Sequence, residues 1–309
     1  MIRLAIRVPR EQAEIVLAEL LELAPAGVEE LDADRDTVEF AVYGAPGELP
    51  ALPDLDAVCG EALLEVSTSE LPDDWSERWK EFHRPVTIAP PGAGAAGGTG
   101  APPALRISPP WEPAAAGSAA ERQQAQQLEI VIDPGQAFGT GGHASTRLCL
   151  ELLLDLLAGG YAPRALLDVG SGSGVLAIAG GLLGFGPLLG LDHEQESVLA
   201  AAENARVNGV ELDVRRYDLR SERLPWLGPA VDGPTGADDD PLLVMANLLR
   251  PLLLVLSRAI ERAPAELIMG GLLADEVDEV VTAYVSRLGM RERRRLDSGG
   301  WSAVWMSAG

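Results

Sequence analysis

The sequence predicts an α/β protein built on a doubly wound, mainly parallel sheet, with a smaller α+β unit ahead of it. Three observations carry this. Residues 165–192, ALLDVGSGSGVLAIAGGLLGFGPLLGLD, read as a buried strand, a glycine-rich turn, an apolar helix and a second strand ending on an acid, Asp192. From residue 128 onward strands and helices alternate, the order that sets parallel strands side by side with helices on both faces. Residues 1–71 run strand, helix, strand, strand, helix, strand, the ferredoxin-like order.

In this first unit, residues 2–8 alternate as a strand, and residues 11–23 repeat apolar side chains at helical spacing (Ile15, Leu17, Leu20, Leu21). Strands follow at 28–31 and 37–43, joined by a hairpin-like turn at 32–36. A second helix is expected at 52–59 and a last strand at 63–67. Residues 72–127 form a connector that opens with a helix at 72–85. That helix is marked by a capping box, Asp74 with Glu77, and by Trp75, Trp79 and Phe82 on one face. Aromatic side chains at this spacing are packing groups, suited here to docking one unit on the other. Two stretches rich in Ala, Gly, Pro and Gln, 89–103 and 112–127, read as loops around a short strand at 105–108.

The third part, 128–309, carries the alternation: strand 128–132, glycine-rich loop 133–143, helix 145–157, then the 165–192 unit. A helix at 196–208, a strand at 212–216 and a loop at 218–240 come next. Strand 242–246, helix 248–263, strand 266–269 and helix 275–288 follow. Strands 290–296 and 301–306 close the chain as an antiparallel edge.

Composition excludes several classes of function. A hydrophobic share of 47% over 309 residues is that of a folded chain with room for a large core. The first residues carry charge throughout and lack the apolar stretch of a signal peptide, and no apolar run approaches bilayer length. A cytoplasmic protein without membrane contact is expected. The two cysteines, Cys59 and Cys149, have no CxxC spacing, and the three histidines, His83, His143 and His193, match no ligand pattern. Neither a disulfide nor a metal is expected. The formal charge of −23 disfavours binding to a nucleic acid backbone. It suits a cationic, lysine-bearing partner as well as it suits a merely solvated surface. Lys80 is the sole lysine, which removes a P-loop or Schiff-base lysine from the 128–309 part.

Gly170, Gly172 and Gly174 let the backbone approach a ligand, and the helix that follows presents unpaired N–H groups. Asp192 lies about 20 residues beyond, where a carboxylate reaches ribose hydroxyls. Residues 172–177, GSGVLA, satisfy the looser dinucleotide pattern, so an NAD-dependent oxidoreductase stays open on this stretch. Asp168 directly ahead of G-x-G-x-G is the form used by the sulfonium cofactor S-adenosylmethionine (AdoMet). A tight strand–helix turn without a ligand is the plain alternative.

Asn247 ends a buried run, at the strand end where open α/β sheets place their ligands. Its side-chain oxygen and a neighbouring backbone carbonyl can accept N–H bonds from an amine; as a helix N-cap it would need no function. The loop DPGQAFGTGGHAST, residues 133–146, folds glycines around Phe138 over something apolar, or serves as a helix entry capped by Ser145 or Thr146. No G-x-S-x-G elbow supports a hydrolase, and His143 near Ser145 does not read as a nucleophile–base pair.

Together, DPGQAFGTGGHASTRLCLELL, LLDVGSGSGVLAIA with LGLD, and VMANLLRPLLLVL resemble the ribosomal protein L11 methyltransferase family. The similarity extends to DDWSERWKEFHRP and ISPPW and covers most of 73–309, whereas the first unit fits by element order. The FGTG-x-H-x-x-T loop is its specific signal. The resemblance implies a seven-stranded class I methyltransferase sheet, AdoMet as cofactor, and an N-terminal substrate-recognition domain at 1–71. It implies methylation of lysine side chains and an N-terminal amine of a large-subunit ribosomal protein, by a monomer. Carried over by motif, Thr146, Gly170, Asp192 and Asn247 line the cofactor site, with Asn247 also catalytic. His193 and Glu194, and the insertions at 89–103, 112–127 and near Asp238, depart from the family pattern. Within the same chemistry the alternative is methylation of another protein or a small molecule; outside it, a non-catalytic AdoMet-binding module.

Overall fold

A computed structural model describes residues 2–13, 16–17, 20, 28–32, 37–44, 55, 60–70, 84–90, 102–112, 127–134, 142–225 and 242–309. Contacts divide the chain into two compact units, Met1–Phe82 and His83–Gly309. Outside the described residues lie Cys59, residues 72–83 of the helix expected at 72–85 with its three aromatics, and the Phe138 end of the 133–146 loop. Most of both Ala/Gly/Pro-rich stretches and residues 226–241 lie there too. Arg84 and Pro85 are described and are not helical.

In the first unit β1 (Ile2–Pro9), β2 (Glu29–Asp32), β3 (Thr37–Gly44) and β4 (Glu65–Glu70) form a sheet in the order β2-β3-β1-β4. All its pairings are antiparallel, which is the ferredoxin-like arrangement. Period-two alternation explains why it holds together. Leu4, Ile6 and Val8 face a core shared with Val38, Phe40 and the helical residues Ala13, Val16, Leu20 and Leu55. Arg3 and Arg7, on the other face of β1, pair with Glu39, and Arg7 also meets Glu65 at 3.1 Å.

The second unit opens on a small sheet. There β5 (Val86–Ile88) runs antiparallel to β6 (Ala104–Ser108), which runs parallel to β7 (Gln127–Val131). The sequence reading places 105–108 alone between loops. In the structure its backbone groups find partners on both sides, and Leu105, Ile107 and Ile130 are buried.

The large sheet contains β8 (Leu166–Val169), β9 (Leu188–Asp192), β10 (Asp213–Arg216), β11 (Leu243–Asn247), β12 (Glu266–Leu273), β13 (Arg291–Ser298) and β14 (Trp301–Ser307). Their order is β10-β9-β8-β11-β12-β14-β13. The first five strands of that order run parallel, and β14 is antiparallel to both neighbours. The chain reverses its direction of spread between β8 and β11, which opens a crevice at their carboxyl ends.

Among the described residues five helices clothe this sheet: α1 (Ala144–Ala158), α2 (Val175–Leu182), α3 (Gln195–Val207), α4 (Arg250–Ala259) and α5 (Val277–Leu288). One core joins α1 and α2 to Leu166, Leu243, Met245 and Ile268. The other joins α4 and α5 to Leu167, Val244, Leu267 and Met269. Burial on both faces is why these strands read as continuous apolar runs. Strand parity then assigns the polar residues. Asp168 shares the face of Leu166, and Asn247 shares that of Leu243 and Met245, so both turn toward the α1 side.

Candidate active site

The turn after β8 is anchored to its neighbour strand. Gly170 N and Ser171 N both donate to the Leu191 carbonyl, at 2.8 and 3.0 Å. Gly170 and Gly174 have φ of +76° and +81°, a region that costs other residues backbone strain. A Cβ on Gly170 would lie 2.3 Å from Leu248 Cδ2, so the bare backbone is also what admits Leu248 beside the turn.

Asp192, at the end of β9, faces this turn. Its Oδ2 accepts from Gly172 N at 2.8 Å and its Oδ1 from Glu194 N at 3.1 Å. Beneath lies Asp168, fully buried, with Oδ2 accepting from Ser171 Oγ at 2.8 Å. Burial pushes its carboxyl up to about 7; the Ser171 hydroxyl and the Ala177 amide oppose the shift, and the charge of Asp192 adds to it.

Across the crevice Asn247 ends β11. Its Nδ2 donates to Thr146 Oγ1 at 3.2 Å, and its Oδ1 is buried with no hydrogen-bond partner among the described residues. An unpaired buried carbonyl oxygen costs about 1–3 kcal/mol and is a place for a donor that a ligand brings. Asn204 on α3 ties two segments of the unit together. It donates to the Ser173 carbonyl at 2.9 Å and accepts from Asp133 N at 3.1 Å, so the glycine turn and the base of the 133–143 loop share one support.

The two capping alternatives do not hold. Asn247 does not cap α4; Leu249 holds that place with no side-chain bond, and Asn247 remains in strand pairing with Gly270. Neither Ser145 nor Thr146 caps α1. His143 does, its Nδ1 accepting from Ser145 N at 3.3 Å and lying 2.8 Å from Ser145 Oγ. The His143–Ser145 contact thus belongs to a helix end. Histidine is outside the usual capping set, so composition alone points to its neighbours.

All four residues carried over by motif, Thr146, Gly170, Asp192 and Asn247, line one cleft of about 270 Å³ at the carboxyl ends of the parallel strands. The turn Asp218, Leu219, Arg220 lines it as well, and sequence reasoning passed over it inside a long loop. It follows β10 at the same end of the sheet, and that position was the available signal. The Arg220 amide and the Ser221 hydroxyl hold the Asp218 carboxyl below its ordinary range. Among the described residues no three His, Cys, Asp or Glu side chains gather as metal ligands.

The model of the ribosomal protein L11 methyltransferase (PrmA) family matches residues 51–308. This chain belongs to that family. A ribosomal protein L11 methyltransferase of Syntrophotalea carbinolica is 32% identical, over 98% of this chain and 96% of its own length. One from Sorangium cellulosum is 30% identical, over 91% and 82%. The crystal structure of a ribosomal protein L11 methylase from Lactobacillus delbrueckii subsp. bulgaricus superposes with a TM-score of 0.51 at 27% identity, covering 66% of this chain and 93% of that one. The protein is thus an AdoMet-dependent methyltransferase with a class I sheet, and the oxidoreductase alternative on residues 172–177 falls away.

The residues present fit AdoMet. Gly170 and Gly172 keep side chains out of the turn and Asp192 offers a carboxylate at the cleft, while Asn247 Oδ1 is an orphaned acceptor beside them. No helix among the described residues is long and apolar enough to cross a membrane.

Proposed function

We propose that this enzyme methylates lysine side-chain amines and the N-terminal amine of ribosomal protein L11, in the cytoplasm and as a monomer. The observation that carries the reading is the buried, unpartnered Asn247 Oδ1 at the end of β11, in the cleft that also holds Gly170 and Asp192. When bound, AdoMet supplies an electrophilic methyl group on a positively charged sulfur. Asp192 accepts hydrogen bonds from the ribose hydroxyls, Gly170 lets the backbone come close, and Thr146 holds the Asn247 amide through its 3.2 Å contact.

The target amine must be neutral to act as a nucleophile. A lysine side chain titrates near 10.4 and an α-amine near 8, so both are largely protonated at neutral pH. Removal from water favours the neutral form, with the proton released to solvent. Asn247 Oδ1 and the Leu248 carbonyl then accept N–H bonds from the amine and leave its lone pair free, so positioning supplies most of the acceleration. We assign recognition of the target protein to the 1–71 unit, and the formal charge of −23 suits a lysine-bearing partner.

The test is methyl transfer from radiolabelled AdoMet into purified L11, with the modified amines located by mass spectrometry. Wild type is expected to label lysines and the N-terminus. Asn247→Ala is expected to keep its circular dichroism and lose at least ~100-fold in kcat, the scale of removing a positioned polar group. A fully active Asn247→Ala contradicts the amine-positioning role, and wild type without L11 labelling contradicts the substrate.

A further inference from the structure

β12 leaves regular pairing where it passes Asn247 and Leu248. Its register against β14 shifts between Met269 and Leu272, and Gly271 sits in the left-handed region at φ +77°. Bulges of this kind re-aim groups beside active sites. Here the bulge is packed against the backbone that follows Asn247. Leu248 N donates to the Gly270 carbonyl at 3.2 Å. A Cβ on Gly271 would stand 2.7 Å from the Leu248 carbonyl oxygen, 2.9 Å from its carbon and 3.2 Å from Asn247 Oδ1. A Cβ on Gly270 would stand 3.0 Å from the same Oδ1 and 2.5 Å from Cys149 Sγ.

These neighbours have little freedom to give way. The Leu248 carbonyl is backbone, and the Asn247 amide is tied to Thr146 on α1. Any side chain at 271 therefore has to displace the Asn247–Leu248 segment or undo the bulge. We propose that the Gly270–Gly271 bulge is a positioning device for methyl transfer. It sets the Leu248 carbonyl and the Asn247 amide oxygen as a fixed acceptor pair, and Gly271 is the residue on which their placement depends. The inference rests on the reading of Asn247 as acceptor for the target amine.

Gly289 supplies the control. It ends α5 at φ +67°, and a Cβ there meets no atom within 4 Å. Gly289→Ala therefore carries similar backbone strain without the contact. Gly271→Ala is expected to lower kcat on L11 by at least ~30-fold, with KM for L11 and AdoMet affinity by calorimetry within about threefold of wild type, and a melting temperature below that of Gly289→Ala but above the assay temperature, so that the enzyme assayed is folded. Gly289→Ala is expected to keep wild-type kcat. Gly271→Asn is the second variant, because asparagine tolerates the left-handed region yet brings the same Cβ; the same kinetic split is expected.

A folded Gly271 variant with kcat within twofold of wild type overturns the proposal. So does a loss of kcat that only tracks lost AdoMet affinity or lost stability, and so does failure of both variants to fold, since each assigns Gly271 to structure alone. An active Gly271→Ala beside an inactive Asn247→Ala sinks the bulge proposal only. Wild type inactive on L11, or an active Asn247→Ala, sinks the reading beneath it.

Discussion

Replacing Asp192 by asparagine isolates the negative charge that faces the glycine turn. The carboxylate side chain is 10% exposed and commits both oxygens to backbone amides, Gly172 N at 2.8 Å and Glu194 N at 3.1 Å. Asparagine has one oxygen and an NH2 group that accepts nothing, so one amide loses its partner and the ribose hydroxyls lose a charged acceptor. Hydrogen bonds to charged groups contribute about 1.5–3 kcal/mol each. At about 1.4 kcal/mol per tenfold, losing one toward AdoMet corresponds to roughly 10- to 150-fold in Kd. Asp192→Ala removes both oxygens and is expected to bind more weakly still. The assay is titration calorimetry of AdoMet into wild type and both variants at one pH and ionic strength, with thermal unfolding measured alongside. Asp192→Asn is expected to shift Kd by one to two orders of magnitude, with a melting temperature lowered by only a few degrees. Unchanged affinity in Asp192→Ala would refute the assignment of this carboxylate to the cofactor.

Two further predictions concern pH. Burial, helped by the charge of Arg147, holds the His143 imidazole below its ordinary 6.5, and its neutral Nδ1 caps α1. The folded state therefore binds fewer protons than the unfolded one, so the cap's contribution is complete above about pH 6.5 and is lost as pH falls below it, about 1 kcal/mol in all. His143→Asn keeps a capping oxygen without titrating; thermal melts from pH 7.5 to 5 should show a shallower decline than wild type, and parallel declines would count against the cap. Asp168 has the opposite sign. With its pKa raised from 3.8 to about 7, the folded state holds a proton that the unfolded state has released. The corresponding stability is present below about pH 4 and is lost as pH rises through 7. The stability of wild type relative to Asp168→Asn should fall across that window in denaturant titrations, and a constant difference would contradict the buried, protonated carboxyl.

The strand, turn, helix and strand of 165–192 were legible because everything that shapes them is local. The apolar runs set β8 and β9, the glycines set the turn, and Asp192 is placed by the length of α2 between them. Thr146, Gly170, Asp192 and Asn247 were legible one at a time, each through its own short motif. Other features were hidden for a physical reason. The three-stranded sheet of β5, β6 and β7 depends on backbone partners far apart in sequence, and no side-chain pattern announces such pairing. His143 took the cap of α1 from residues with better capping chemistry because the backbone at its own position was the extended one.

By itself, then, the sequence determined the α/β class, the order of elements, the nucleotide-type turn and the family resemblance, all of which rest on short-range pattern. Tertiary structure alone decided which of those residues meet. Asn247 and Thr146 are 101 residues apart, yet strand parity and the path of α1 bring them to 3.2 Å. It also decided that Asp218 shares their cleft, and that Gly271 must be bare for the Leu248 carbonyl to lie where it does. Side-chain chemistry is written residue by residue. Distances between residues are set by the packing of two cores against one sheet, and that packing exists only once the chain has folded.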